Sequence, residues 1–456
     1  MLDQSFSAEN FKKILDLENR KGIYLEGEFY SDIADINRKV KEANEEIKGL
    51  KKMGLSKEIF LKEREKINEK KDILEAKKEE KIIAKLNDIS TKVTAPEFKL
   101  KIIVDNAILS KPVYKTAYLL ENILTLKQLQ YNFRKLYKVK QSRRYSIISQ
   151  LKNLLDDGFP KVILKTDIKE FFESIPHSNL LKKINDDNLL THLSMRFIQQ
   201  ILKEFKDKSG ESKGVPRGIG ISSFLTELYM RDFDAKIKSL PNLIYYARYV
   251  DDIILIFMPQ TDKTERFYKM EVKQILADEG LTMNENKEKT KLINLLNKNE
   301  NQNYSFEYLG YKFTSGYLSR KHIPLTLTLS QRKKKRYAER LNKAFALYLK
   351  QAKGSEKQAR KLFVKRIRFL MSNTRLVNNK RNVITGVYYT NSLINTIEDF
   401  IILDKFFSKA VKKHALPVPL ASRIIKSNSF VTGFNPANIA KFNAAELNSI
   451  MKRWTK

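Results

Sequence analysis

The 456-residue chain contains no cysteine. That absence excludes disulfides and thiolate-bound metals, and it fits a reducing compartment, favouring the cytoplasm. Histidine is nearly as scarce. His177, His192, His322 and His414 are too scattered to make a metal or nuclease cluster. No run of 18 apolar residues occurs, and no apolar stretch follows a basic start, so the expectation is a soluble, unexported protein without a membrane partner. Acids are missing from one end. Residues 321–456 hold 29 Lys and Arg against only six acids, Glu339, Glu356, Glu398, Asp399, Asp404 and Glu446.

What is present suits a globular chain of two or three domains, with 42% hydrophobic residues and a net charge of +34. A basic face on such a protein implies a phosphate-backbone partner. Solvated helix surface explains scattered lysines, but it explains a 29-to-6 imbalance less well. Aromatic residues in the same third (Phe345, Tyr348, Phe363, Phe369, Tyr388, Tyr389) read more readily as helix core than as base-stacking platforms. Residues 1–95 read as a helical extension, charged from Arg38 to Leu86, broken near Gly54 and recapped by Ser56. Phe60, Ile67 and Leu74 recur at heptad spacing, which predicts a helix pair. From Ser330 onward, Lys- and Arg-rich helical periodicity dominates.

The most informative segment is Tyr249-Val250-Asp251-Asp252, set between the apolar runs Leu243–Tyr246 and Ile253–Phe257. Adjacent carboxylates on a tight turn between short strands are what a two-metal phosphoryl-transfer site needs. Alone, the pair would mark an ordinary hairpin. Asp156-Asp157 and Asp186-Asp187 lack such flanks and read as solvated acids. Upstream, Val162–Asp167 reads as a buried strand ending in a carboxylate, followed by Ile168-Lys169-Glu170-Phe171-Phe172. Between the two lies Gly214-Val215-Pro216-Arg217-Gly218, a turn cluster opening a helix to about Asp234. Downstream stand Gly280–Lys287 and Phe306-Glu307-Tyr308-Leu309-Gly310-Tyr311.

In order and spacing these five blocks resemble the palm motifs of reverse transcriptases over about residues 100–320. The resemblance implies an α+β right-hand polymerase, with fingers and palm at residues 96–320 and a basic, thumb-like α-helical domain at 321–456. It implies DNA synthesis from dNTPs with two Mg²⁺ ions, Mn²⁺ being an alternative, held by Asp167, Asp251, Asp252 and the Ile168 carbonyl. Phe172 takes the place of the family's sugar-selecting side chain, and Phe171 is expected to face the core. Pro216-Arg217-Gly218 stands where most relatives have Pro-Gln-Gly. Arg217 is therefore open to a phosphate, a base edge or a salt bridge. Arg143 and Arg144 are candidates to clamp the triphosphate. Lys287 matches the candidate proton donor to pyrophosphate, with Lys289 close by, and Tyr308-Leu309-Gly310 matches the primer-positioning turn.

The last 136 residues lack the clustered carboxylates of an appended nuclease. A palm followed by a long basic helical region looks most like bacterial antiphage, abortive-infection reverse transcriptases. Retron enzymes, usually shorter at this end, come second. That group implies a structured noncoding RNA or the DNA product as nucleic-acid partner, with a second copy or a second defence protein as further partners. Template and priming hydroxyl are not encoded in any motif. Two other classes compete: a non-catalytic nucleic-acid-binding protein on a palm, against which the intact acids argue, and an RNA-dependent RNA polymerase, against which Phe172 and Tyr308-Leu309-Gly310 argue.

Overall fold

The computed structural model describes residues 2–105, 111–139, 142–260, 262–296, 302–319, 321–376 and 383–451. Two compact units divide the chain, Met1–Lys140 with Glu170–Asp234 and Gln141–Lys169 with Ala235–Lys456. The first unit opens on α1 (Ala8–Asn19), α2 (Leu25–Phe29), α3 (Ser31–Leu50) and α4 (Lys57–Thr94). Gly54, at φ 63°, turns the chain between α3 and α4, and the Ser56 hydroxyl caps α4 by accepting from the Ile59 N–H. The expected helix pair is present, with Phe60, Ile67 and Leu74 partly covered along α4. Only Ile82, Leu86, Ile89 and Val93 of α4 are fully buried.

A ribbon of β1 (Ile102–Asp105) and β2 (Val113–Thr116) follows, then α5 (Leu120–Tyr137). The chain enters the second unit for α6 (Arg144–Leu155) and β3 (Val162–Asp167). It returns to the first for α7 (Phe171–Ser174), α8 (His177–Asp187), α9 (His192–Ser209) and α10 (Ser222–Tyr229), and leaves along α11 (Arg231–Lys238). The single helix expected to end near Asp234 is thus two, divided at Met230.

In the second unit, β4 (Leu243–Tyr249), β5 (Asp252–Phe257), α12 (Glu265–Asp278) and β6 (Lys291–Asn294) complete a four-stranded sheet in the order β4-β5-β3-β6. Every pairing in it is antiparallel. Its central strand β3 is buried throughout, as a Val-Ile-Leu run predicts. A three-stranded antiparallel sheet of β7 (Gln302–Tyr308), β8 (Tyr311–Leu318) and β9 (Lys321–Leu329) leads into helices. These begin with α13 (Gln331–Ala352), capped by the Ser330 hydroxyl, and α14 (Glu356–Leu370). Short strands β10 (Asn373–Arg375) and β11 (Ile384–Gly386) precede α15 (Glu398–Lys413), α16 (Val418–Ser427) and α17 (Phe430–Gly433). The pair β12 (Ile439–Ala440) and α18 (Ala444–Met451) ends the described chain.

One core runs from Ile163 and Ile254 of the first sheet through Phe306 and Phe313 of the second to Phe345, Phe363 and Phe400 of the helices. The boundary expected at residue 320 falls between the paired strands β8 and β9, whose side chains join that core. Phe345, Tyr348 and Phe363 are buried, while Tyr389 is exposed. Among the described residues no helix is long and apolar enough to cross a membrane.

Candidate active site

Strands β4 and β5 are joined by only Val250 and Asp251. Val250 sits at φ 62°, a conformation a two-residue hairpin usually gives to glycine. A β-branched residue held there costs about 1–3 kcal/mol, so the surroundings must fix it. They do so from two sides. The buried Arg248 donates from Nη1 to the Val250 carbonyl at 3.0 Å. The Ile168 N–H, just past β3, donates to the Asp251 carbonyl at 3.2 Å.

The β3–β5 register places Asp167 directly opposite Asp252. Two strands distant in sequence therefore deliver the acids that the sequence singled out to one sheet end. Asp167 is 4% exposed. Its Oδ2 accepts from Lys289 Nζ at 2.7 Å, while its Oδ1 is buried with no hydrogen-bond partner. Burial, then the neighbouring Asp251 and Asp167 charges, push the Asp252 carboxyl up to about 6.

Two lysines balance these acids. Lys165 lies two residues before Asp167 on β3, hence on the same face, and donates to the Lys289 carbonyl at 2.7 Å. Burial lowers its pKa against the pull of Asp252 and Asp167. Lys289 is pushed the other way, chiefly by its hydrogen bond to Asp167. The loop carrying it is tied to the strand end: the Asn284 N–H donates to the Asp167 carbonyl at 2.9 Å, and the Thr166 and Thr290 hydroxyls meet at 2.6 Å. Lys287 is exposed, and Lys289 is the lysine that reaches Asp167. Lys165 was missed from the sequence, although strand alternation from Asp167 marks it.

Such a site suits a hard divalent cation. Among the described residues no three carboxylate or imidazole groups are drawn together as a finished metal site; like charges stand apart and Lys289 covers one oxygen. The orphaned Asp167 Oδ1 and the raised Asp252 nevertheless mark acids short of positive charge, with the oxygen donors Mg²⁺ prefers. Residues 99–313 match the family described as reverse transcriptase (RNA-dependent DNA polymerase). That stretch is similar to a reverse transcriptase domain. Solved structures similar to it include apo telomerase from Candida tropicalis, at 15% identity and TM-score 0.38 over 79% of this chain and 63% of that one. Telomerase from Candida albicans in complex with a TWJ fragment of telomeric RNA is similar at 15% identity and TM-score 0.33, over 77% of this chain and 61% of that one. The chain thus spans about three-fifths of these telomerases. No curated protein matches it.

The Tyr308-Leu309-Gly310 turn is fastened to the β4–β5 hairpin. The Tyr308 hydroxyl donates to the Asp252 carbonyl at 3.2 Å, and burial drives its pKa well up. Leu309 and Gly310 both have positive φ. Gly310, at φ 80°, holds a backbone conformation that strains any residue with a side chain, and a Cβ there would also press on Arg144 Nη2 at 2.7 Å. Arg144 is therefore placed on this turn, over the Tyr311 ring at 5.5 Å. Arg143 is exposed at the N-cap position of α6.

The first unit holds the remaining motif residues. Phe171 is buried and Phe172 partly exposed. Arg217 forks onto Glu173 at 2.6 and 3.0 Å and lies over the Phe172 ring at 5.1 Å. Of its three open roles, the structure realises the salt bridge. Gly218, at φ 97°, packs so closely on the ribbon that a side chain would meet the Tyr114 carbonyl at 2.5 Å.

Proposed function

We propose that this chain is a DNA polymerase that joins dNTPs by a two-metal mechanism, with Asp167, Asp251 and Asp252 as metal-holding acids. The observation that carries the reading is the pairing of Asp167 with Asp252 across β3 and β5, beside the strained turn that carries Asp251. Divalent cations held there would stabilise the attacking and leaving oxygens of the phosphoryl transfer. The residues themselves hold and exclude. Asp167 keeps one oxygen without a protein partner, Arg248 fixes the turn, and Lys289 keeps its proton because Asp167 raises its pKa. Lys289, which reaches Asp167 while Lys287 is exposed, is the better placed of the two to donate to a leaving pyrophosphate. Phe172 selects the deoxy sugar by bulk, and the Glu173–Arg217 pair braces its ring.

The biological setting proposed is bacterial antiphage defence, with a structured noncoding RNA as template or with untemplated or protein-primed synthesis. Its support is the basic helical region after the palm, which has only six acids and no nuclease-like cluster. Purified protein given Mg²⁺ and each labelled dNTP or rNTP, with and without co-purified RNA, tests the reading. Incorporation of dNTPs that disappears in Asp251→Asn is expected. Exclusive use of rNTPs, or no incorporation under any condition, would overturn it.

A further inference from the structure

Helix α13 carries its cations in two different ways. Lys334 is paired with Asp399 at 3.0 Å. Lys333, Arg336 and Arg340, at i, i+3 and i+7, fall on a neighbouring face and have no carboxylate partner among the described residues. They line a cavity of about 180 Å³ together with Tyr337, Thr385 and Thr390. Lys333 is anchored, donating to Asn391 Oδ1 at 2.5 Å and standing 4.4 Å over the Tyr311 ring. Burial, then Arg144 and Arg336, push its ammonium down to about 7. Arg340 is lowered for the same two reasons, burial and Arg336. Among the described residues the fold therefore crowds these three cations without an acid beside them, and Lys333 gives up its proton more readily as a result.

We propose that this cavity is a binding site for a single phosphate group. Two guanidinium forks and an anchored ammonium offer more positive charge than one carboxylate neutralises, and guanidinium geometry matches phosphate oxygens. The lining hydroxyls add donors to the remaining oxygens, and the cavity holds a phosphate group rather than a whole nucleotide. The phosphate belongs to a free ion, to a nucleic-acid end or to a backbone diester; all three present the same oxygens. The inference does not rest on the polymerase reading, because a phosphate would fill the cavity in a protein that made no DNA.

Thermal unfolding of the full chain at pH 7 and constant ionic strength, with chloride replaced stepwise by inorganic phosphate, tests it. The parent is expected to show a saturable rise in Tm that Arg336→Gln/Arg340→Gln loses. An equal, non-saturating rise in both proteins would show solvated cations and overturn the site. If the double glutamine variant fails to fold, Arg336→Lys/Arg340→Lys, which keeps charge without forks, must show a weaker phosphate effect; an unchanged effect overturns the proposal. Oligonucleotides then identify the source. About tenfold tighter binding of a 5′-phosphorylated strand than of its 5′-hydroxyl twin, competed by inorganic phosphate, assigns a terminal phosphate. Equal binding of both strands, weakened about tenfold in the double variant, assigns the backbone. Strand binding unchanged by the variant, beside a lost phosphate effect on Tm, assigns the free ion.

Discussion

The second unit holds two knots of like charge, one acidic at the β3–β5 end and one basic on α13, and they are built by opposite rules. The acids come with partners of opposite sign. Lys289 bonds Asp167 and Lys165 stands beside it, so the knot is held together before any ligand arrives. Lys333, Arg336 and Arg340 of α13 have no carboxylate partner among the described residues, and the crowding is visible in the proton affinity of Lys333. Asp252 is driven up to about 6, and Lys333 down to about 7. An acidic site that must position a cation to within fractions of an ångström needs its own scaffold of counter-charges. A basic site that takes an abundant anion does not, since the ligand itself supplies the missing charge. The N-terminal helices set the baseline for both: residues 1–95 carry 21 Lys and Arg against 20 Asp and Glu, largely paired along and between helices as in Lys81–Asp32 at 2.8 Å. Lysine richness alone is therefore uninformative; lysine without acid is not.

The comparison breaks most visibly if the acidic knot is dispensable. Asp167→Asn or Asp251→Asn is expected to reduce dNTP incorporation by about a hundred- to a thousandfold, the scale on which removing one electrostatic stabiliser acts, with circular dichroism unchanged. Activity within tenfold of the parent in either variant would remove the catalytic assignment. Next in size is charge reversal on the basic side. Arg336→Glu/Arg340→Glu should weaken nucleic-acid binding about tenfold or more and flatten its salt dependence, because a protein that neutralises fewer phosphates releases fewer counterions. Titrations at two salt concentrations read both quantities, and unchanged slopes would mean that α13 faces only water.

The two knots were not equally legible in the sequence. The acidic one announces itself through strand alternation and a turn, and both β3 and β5 are local apolar runs that need little context. The basic one is spread over α13 and the region of β11, with Arg144 contributing from α6, nearly 190 positions before Lys333. No spacing rule links those segments; only the folded core brings them together. The same limit applies to Arg217. Its replacement of glutamine was plain in the sequence, but its partner Glu173 lies 44 positions away in another motif. Arg144 is, with Arg143, a triphosphate-clamp candidate from its position ahead of β3; its packing against Tyr311 and Gly310 is set by the fold. Local motifs disclose ligands of the backbone hairpin; tertiary packing decides which cations are neutralised.

A third, smaller effect concerns the paired arginine. Arg217→Gln introduces the glutamine of the Pro-Gln-Gly turn that this segment resembles and frees Glu173. The half-exposed pair contributes only about 0.2–1 kcal/mol to stability, so the fold should persist. Sugar choice should loosen, with rNTP use rising several-fold relative to dNTP as the Phe172 ring loses its brace. Phe172→Ala should loosen it further. If Phe172→Ala relaxes selection while Arg217→Gln leaves it unchanged, the pair is structural only and the brace is not needed.

The smallest effect tests the crowding on α13 directly. Lys333 has a pKa near 7 when folded and an ordinary value of 10.5 when unfolded, so between those values the unfolded chain binds the extra proton. Unfolding free energy then rises with pH across that window, and the gain is lost as pH falls through about 7. The groups facing the ammonium are Arg144 from α6, Arg336 from its own helix, the Tyr311 ring from β8, and the Thr390 carbonyl and Asn391 amide from the loop after β11. None is an acid. In Lys333→Met this rise should vanish, so urea unfolding at pH 7, 8 and 9 should show the parent gaining on the variant at each step. Loss of the Asn391 hydrogen bond shifts the variant by a constant and leaves the slope difference intact. Saturating phosphate should flatten the parent's slope as well, because a bound anion returns the ammonium to its charged state. Parallel pH curves for parent and variant would show that the cations of α13 do not crowd one another, and the contrast between the two knots would fail at its basic end.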